Sequence, residues 1–465
     1  MTDKRVLFIA TTNLNWNDGG AYGQRGYLAS IRRLSNNLTD VIMPEEGCYG
    51  QYTDAIGVPP RPFYKSILSG SIHRYKEFVR QYLDRHKNEY YVCFIFGGIY
   101  AGDMMDMIHS YDIKIVVTHL NYEPEYQMDN KTMWTFGGVT PFFVKRNERS
   151  AYLKADVNCF MSNDDQKLFE RHYGKIATPA VMIGCYEYED KAWDEENKAA
   201  NNDFIMAITG SMNTVQTISG IRDFKDKYYK IFKEICPDWK IVIAGRNPSE
   251  EIYKFAEQSN GTIEVIANPD HMKTIILSSS IFYCPTNAGG GIKLRLMDGL
   301  KQGRPVLVHK VSARGYESLF NEPFFRVYNN EETFHSGLRD ILNYVKNNFD
   351  SQQIVRKYLD YFSLEAGTER YKKVFNILSM IITKTPFRMS FFGGGTDMPA
   401  FFNEYGGAVI STTFDKFCYV NVRHMPPFHP YISELVHNRF ERVNNINDIE
   451  HPLIRECMRL HDIHE

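Results

Sequence analysis

The chain has 465 residues, 43% hydrophobic and 24% charged, with 54 Lys plus Arg against 56 Asp plus Glu and a formal net charge of −2. This length suggests about three domains. The composition excludes a disordered chain, and the charge balance excludes both an overall basic nucleic-acid binder and an acidic solvating tail protein.

The N-terminus offers a five-residue apolar stretch and then polar residues, which reads as a first strand and not as a signal peptide. Residues 5–12 form that strand, followed by a loop with Asp18, Gly19 and Gly20 and a helix over 22–34. Further strands are expected at 91–96, 113–119 and 156–161, the last leading into a helix that Asn163 caps and that runs to Tyr173. Residues 71–87 form a basic amphipathic helix, whose polar side is more simply a solvated face than a contact with anionic lipid. The longest largely apolar run without charge, residues 90–102, is too short for the ~20 residues of a membrane-spanning helix.

Residues 186–202 are polar and acidic and read as a linker between a first domain (1–185) and a second (203–378). The second restarts the α/β rhythm, with strands at 204–209, 240–244, 262–266, 280–284 and 305–309. Helices are expected at 220–235, 250–257 and 292–301, and a helical stretch from 331 to 378 closes it. Strands alternating with helices imply two doubly wound parallel sheets of Rossmann-like type. From residue 381 to 465 the texture changes to a smaller α+β segment. The eight cysteines (Cys48, Cys93, Cys159, Cys185, Cys236, Cys284, Cys418, Cys457) form no C-x-x-C pair, as expected of reduced, mostly buried thiols in a cytosolic protein.

Open α/β sheets bind ligands at the carboxyl ends of their strands. Three segments fall there. Gly19 and Gly20, with Arg25 nearby, would let backbone amides approach an anion, or form an ordinary turn. Arg246, where a strand breaks into a loop, offers a fork of donors for phosphate oxygens, or is a solvated surface arginine. Gly289, Gly290 and Gly291 follow a strand and lead into a helix expected to carry Lys293 in its first turn, a cradle suited to a pyrophosphate, or else a tight turn with a solvated Lys293 and Asp298. Asp298, five residues on, could accept from ribose hydroxyls. No Asp-x-Asp pair or His/Cys cluster suggests a metal.

Taken together, the segments ITGSMNTVQTISGIRDF, IVIAGRNP and GGGIKLRLMDGLKQGRPVL resemble the retaining GT-B glycosyltransferases that use nucleotide-diphosphate sugars. VVTHLNYEPEY and SNDDQKLFERHYG are similar to that family's first domain. The resemblance implies that His119 contacts the transferred sugar, a position where a lone histidine is otherwise more often structural. It implies that Asp298 stands for the family's ribose-binding glutamate, and that Lys293 and the amides near Gly290 hold the diphosphate. No cofactor is implied, the nucleotide-sugar being the substrate. Two departures stand out: Gly290 occupies the place of a second glutamate, and residues 211–220 lack the basic pair expected after the linker, for which Arg246 is a substitute. The implied partners are a nucleotide-sugar donor and a glycan or lipid-linked acceptor, in the cytoplasm and without nucleic acid; the basic helix over 71–87 leaves peripheral membrane contact open as the lesser alternative.

The segment TPFRMSFFGGGTDMPAFFNEYGGAVISTTFDKFCYVNVR resembles the start of sugar kinases of the GHMP superfamily, nearest the heptose phosphate and fucose kinases. That resemblance implies that Asp397 holds sugar hydroxyls and that Arg388 lies near the reacting oxygen. The superfamily's phosphate loop would follow the last residues given, so no ATP-dependent kinase activity is expected of this chain alone. The fusion makes a GDP-heptose or GDP-fucose-like donor attractive. The alternatives are a bifunctional transferase and kinase cut before its phosphate loop, a nucleotide-sugar sensor serving the kinase, and a degenerate GT-B scaffold that binds a glycan or partner.

Overall fold

The computed structural model describes residues 5–16, 19–45, 51–59, 73–125, 139–189, 204–378, 380–392, 396, 398–423, 430–461 and 463. The chain divides into two compact units, Met1–Lys373 and Val374–Glu465.

The first unit holds two parallel sheets. One contains β1 (Arg5–Ile9), β2 (Thr39–Pro44), β3 (Ile56–Val58), β4 (Tyr90–Phe96), β5 (Lys114–His119), β6 (Val157–Phe160) and β7 (Ala180–Met182), in the order β3-β2-β1-β4-β5-β6-β7. The other contains β8 (Ile205–Ser211), β9 (Lys240–Arg246), β10 (Ile263–Ala267), β11 (Ile281–Cys284), β12 (Val306–His309) and β13 (Phe325–Tyr328), in the order β10-β9-β8-β11-β12-β13. The strands are short β-branched and aromatic runs, and central ones such as β1 and β4 are buried almost throughout. A parallel sheet covered by helices on both faces requires this. Separate cores form around Leu7, Ile95 and Val117 in the first lobe and around Ile208, Ile243 and Phe334 in the second.

Both sheets reverse their strand order once, between β1 and β4 and between β8 and β11. Such a reversal parts the connecting loops and opens a crevice at the carboxyl ends of the strands. The loop after β1, the Gly97–Gly98 turn after β4 and the segment after β11 therefore lie where a ligand would bind.

Several elements differ from the sequence expectation. The first helix begins at Gly19 (Gly19–Leu34), so Gly19 and Gly20 form its first turn and not a preceding loop; Asp18 lies outside the described residues. The helix expected over 292–301 is Arg295–Lys301, leaving Lys293 ahead of it. The helix expected over 220–235 runs as Val215–Asp223, a π-helical turn Phe224–Tyr228, and Tyr229–Ile235. The closing helical stretch is three helices, Glu331–Asn347, Ser351–Phe362 and Leu364–Leu378. The last returns to the first lobe, where Tyr371 packs beside Tyr27 and Phe94 and the Thr368 hydroxyl lies 3.1 Å from that of Ser30. Helix His73–Arg85 turns Tyr75, Val79 and Leu83 into the core, which leaves its polar side to solvent. Among the described residues no helix is long and apolar enough to cross a membrane. Cys93, Cys159, Cys185, Cys236 and Cys284 are buried free thiols, Cys418 and Cys457 are exposed, and Cys48 lies outside the described residues.

The second unit pairs β14 (Met380–Phe392) with β15 (Ile410–Arg423) as an antiparallel ribbon, and β16 (Ser433–Val436) with β17 (Phe440–Val443). A small core of Leu435, Ile446 and Ile449 lies under helix Pro452–Leu460.

Candidate active site

His119 is the last residue of β5, paired with Phe160 of β6. Its ring is 1% exposed, packed against Phe160 and Phe169. Asn158 fixes the tautomer. Its amide nitrogen donates to the Tyr152 carbonyl at 3.0 Å, so its oxygen must accept, and His119 Nε2 lies 2.8 Å from that oxygen. The proton is therefore on Nε2, and Nδ1 carries a lone pair. Burial pushes the imidazole down to about 4, so the ring is neutral at pH 7. Nδ1 is buried without a hydrogen-bond partner and faces Gly98, where a Cβ would lie 3.0 Å from it. An orphaned buried acceptor costs about 1–3 kcal/mol, a debt that a donating hydroxyl would remove.

The glycine run after β11 meets the residues that follow His119. Gly291 has φ +69°, and a Cβ there would stand 3.3 Å from Asn121 Oδ1 and 3.4 Å from the Leu120 carbonyl oxygen. The left-handed backbone and this close approach both call for glycine. Gly289, at φ +89°, abuts Gln216 and the Lys293 ammonium. Lys293 reaches back over the turn, its Nζ donating to the Gly290 carbonyl at 3.0 Å and to that of Gly289 at 3.3 Å. Tyr316 holds the lysine's backbone by donating to its carbonyl at 2.9 Å. Placed ahead of the helix, the charge sits on the turn itself. Gly291→Val should cost ~1–2 kcal/mol for the left-handed backbone alone and should push Asn121 away. Thermal denaturation should show a lower Tm.

A cation that sequence reading missed stands at the end of β8. Arg295 Nη1 donates to the Thr209 carbonyl at 3.2 Å and Nη2 to Thr217 Oγ1 at 3.3 Å. Gly210, at φ +144°, leaves room for this guanidinium, since a Cβ would lie 2.6 Å from Nη1. Residues 211–220 contain no lysine or arginine, and Arg295 brings positive charge to that place from the neighbouring strand's helix. Its signal was the pair of Gly210 at a strand end and a second basic residue two positions after Lys293. Arg246 ends β9 with an exposed side chain, and no hydrogen bond or ion pair holds its guanidinium among the described residues.

Asp298 has a side chain 47% exposed, 3.3 Å from Lys301 Nζ. The surrounding protein raises its carboxyl above the ordinary value against the pull of Lys301. Lys301 also lies 3.5 Å from Glu187, whose carboxylate accepts from Tyr358 at 2.5 Å and from Tyr22 of the first helix. Glu187, in the expected linker, thus gathers donors from three elements of both lobes and stands one side chain from Asp298. Tyr186, beside it, is fully buried, and residues 190–203 lie outside the described residues. At the start of the first helix, a Cβ on Gly19 would meet Leu294 Cδ1 at 3.2 Å, so this helix end packs on the exit of the glycine turn; Gly20 is exposed. Arg25 donates weakly to the carbonyls of Leu14 and Trp16 and lies over the Tyr188 ring.

The glycine turn bearing Lys293 thus approaches Leu120 and Asn121, the residues after His119, while Gly19 packs on Leu294 and Arg295 reaches Gly210. In the second unit, Arg388 lies exposed on β14 opposite Thr413, whereas Gly393–Gly395 and Asp397 lie outside the described residues.

No protein-family model matches this chain, and no curated protein matches it in sequence. Solved structures do match in fold. A glycosyltransferase from Rickettsia africae ESF-5 superposes with a TM-score of 0.58 at 12% identity, over 81% of this chain and 99% of its own. A sucrose-phosphate synthase from Thermosynechococcus elongatus has the same score and identity, over 80% and 98%. A glycosyltransferase involved in lipopolysaccharide biosynthesis gives 0.55 at 13%, over 79% and 99%. The fold is GT-B.

Proposed function

We propose that the first unit is a retaining glycosyltransferase that moves a sugar from a nucleoside-diphosphate sugar to a glycan acceptor. The observation that carries this reading is the contact of Gly291 with Leu120 and Asn121. It brings a glycine turn bearing Lys293 beside the strand end that presents His119. Departure of the nucleoside diphosphate builds negative charge on its phosphate oxygens while the sugar acquires oxocarbenium character. Cations already in place stabilise that charge without reorganising. Lys293 and Arg295 supply them, with Arg246 at the neighbouring strand end. The neutral His119, its Nδ1 free to accept, suits a sugar hydroxyl and not a phosphate. Asp298 takes the ribose hydroxyls, steadied by Lys301. The departing phosphate accepts the acceptor's proton as the new bond forms on the same face, so the configuration is retained.

The kinase-like second segment favours a GDP-activated sugar. A protein from Anabaena with 9% identity and a TM-score of 0.55 was solved with UDP, so uridine donors are the competing class to test. A screen of GDP-, UDP- and dTDP-sugars for nucleoside diphosphate release decides. One donor class should turn over well above the others, and no release from any of them in the presence of glycan acceptors would refute the transferase reading.

A further inference from the structure

Glu148 is a buried acid with no place in the chemistry just described. It lies on helix Val139–Lys154 and is 1% exposed. Its Oε1 accepts from the Glu123 backbone N–H at 3.0 Å, and its Oε2 accepts from the Tyr173 hydroxyl at 2.7 Å. Glu123 in turn accepts from Asn121 Nδ2 at 2.7 Å, and Asn121 is the residue that touches Gly291. Glu148 also flanks Gly98 together with His119: a Cβ on Gly98 would lie 3.4 Å from Glu148 Cγ and 3.0 Å from His119 Nδ1. Its helix packs backbone to backbone on Gly102, where a Cβ would fall 2.1 Å from the Asn147 carbonyl oxygen, an approach that only glycine permits.

We propose that Glu148 is a positioning residue, which clamps the segment from His119 to Glu123 against the glycine turn of the opposite lobe. The function of this clamp rests on the transferase reading above; its structural part does not. The groups facing Glu148 are the carboxylates of Glu123 and Asp165, the Tyr173 hydroxyl from helix Asn163–Tyr173, and the neutral His119 across Gly98. Burial, with those two acids adding to it, pushes its carboxyl up to about 8, so the clamp is protonated at neutral pH. Ionisation at higher pH puts an uncompensated charge beneath the His119 strand end.

Glu148→Ala and Glu148→Gln test this in the full chain. Glutamine keeps an acceptor for the Glu123 amide and cannot ionise. In Glu148→Ala, amide exchange over 119–125 should accelerate by about tenfold or more. In donor hydrolysis kcat should fall by about tenfold, with KM changed by less than about threefold. Glu148→Gln should restore both at pH 7 and should lack the loss of kcat that native protein shows above pH 8. Native exchange in a folded Glu148→Ala variant, or a Glu148→Gln variant that keeps the alkaline loss, would overturn the proposal. If Glu148→Ala does not fold, Glu148→Gln decides by the same exchange and pH profile. If the native chain turns over no donor, the transferase reading falls, and exchange alone still decides whether Glu148 holds the strand end.

Discussion

Lys293→Met should weaken nucleoside diphosphate binding by about 10- to 100-fold, the worth of one charge-assisted hydrogen bond to phosphate. The ammonium sits over the Gly289–Gly291 turn, held by two carbonyls and so ordered before any ligand arrives. Little entropy is then lost when a phosphate oxygen joins it. Nucleoside monophosphate binding should change much less. Because the lysine also ties down the turn, thermal denaturation must accompany the titration; an unchanged diphosphate affinity in a stable variant would remove Lys293 from the site. Arg295→Met should weaken binding in the same sense, although its guanidinium is already shared with Thr209 and Thr217.

His119→Ala should reduce donor hydrolysis by about 100-fold or more while nucleotide affinity stays nearly native. On the proposed reading the buried acceptor Nδ1, which faces Gly98, serves a sugar hydroxyl and takes no part in holding phosphate. Equal turnover in the variant would return His119 to a purely structural role. Its buried, neutral state also has a signature in stability. With the folded imidazole depressed to about 4, the unfolded chain binds more protons between about 6.5 and 4, so stability falls as pH drops through that window. Glu148, raised to about 8, acts in the opposite direction: the folded state keeps its proton between about 4.5 and 8, and stability falls as pH rises. The two oppose each other in mildly acid solution, and above about 6.5 only the loss from Glu148 remains. Denaturant midpoints measured from pH 5 to 9 check this, and the alkaline decline should vanish in Glu148→Gln.

The strands were legible because a parallel strand buried on both faces must be a short β-branched or aromatic run, and β4, β5 and β9 are such runs. The glycine turn was legible as a turn because three consecutive glycines break the strand pattern before them and the helix pattern after them. The remaining site residues were hidden by sequence distance. Arg295 serves a strand end 86 residues away, where Gly210 was the one local sign of it. Glu148 sits between Arg146 and Arg149 in a helix that looks solvated, and its burial depends on Tyr173 and the Glu123 amide closing over it. Glu187 lies in an acidic run that reads as an exposed linker, yet Tyr22, Tyr358 and Lys301 converge on it from three elements. The helix start at Gly19 was missed because two glycines argue for a turn by propensity, whereas packing on Leu294 rewards the absence of side chains there.

Calorimetric titration of the native chain with nucleoside diphosphates and the matching monophosphates tests most directly whether the glycine turn bearing Lys293 grips a diphosphate. A diphosphate of one base should bind at least about tenfold more tightly than its monophosphate, a difference of about 1.4 kcal/mol, and Lys293→Met should erase the preference. Equal affinity for the two, or no binding of either, would contradict it.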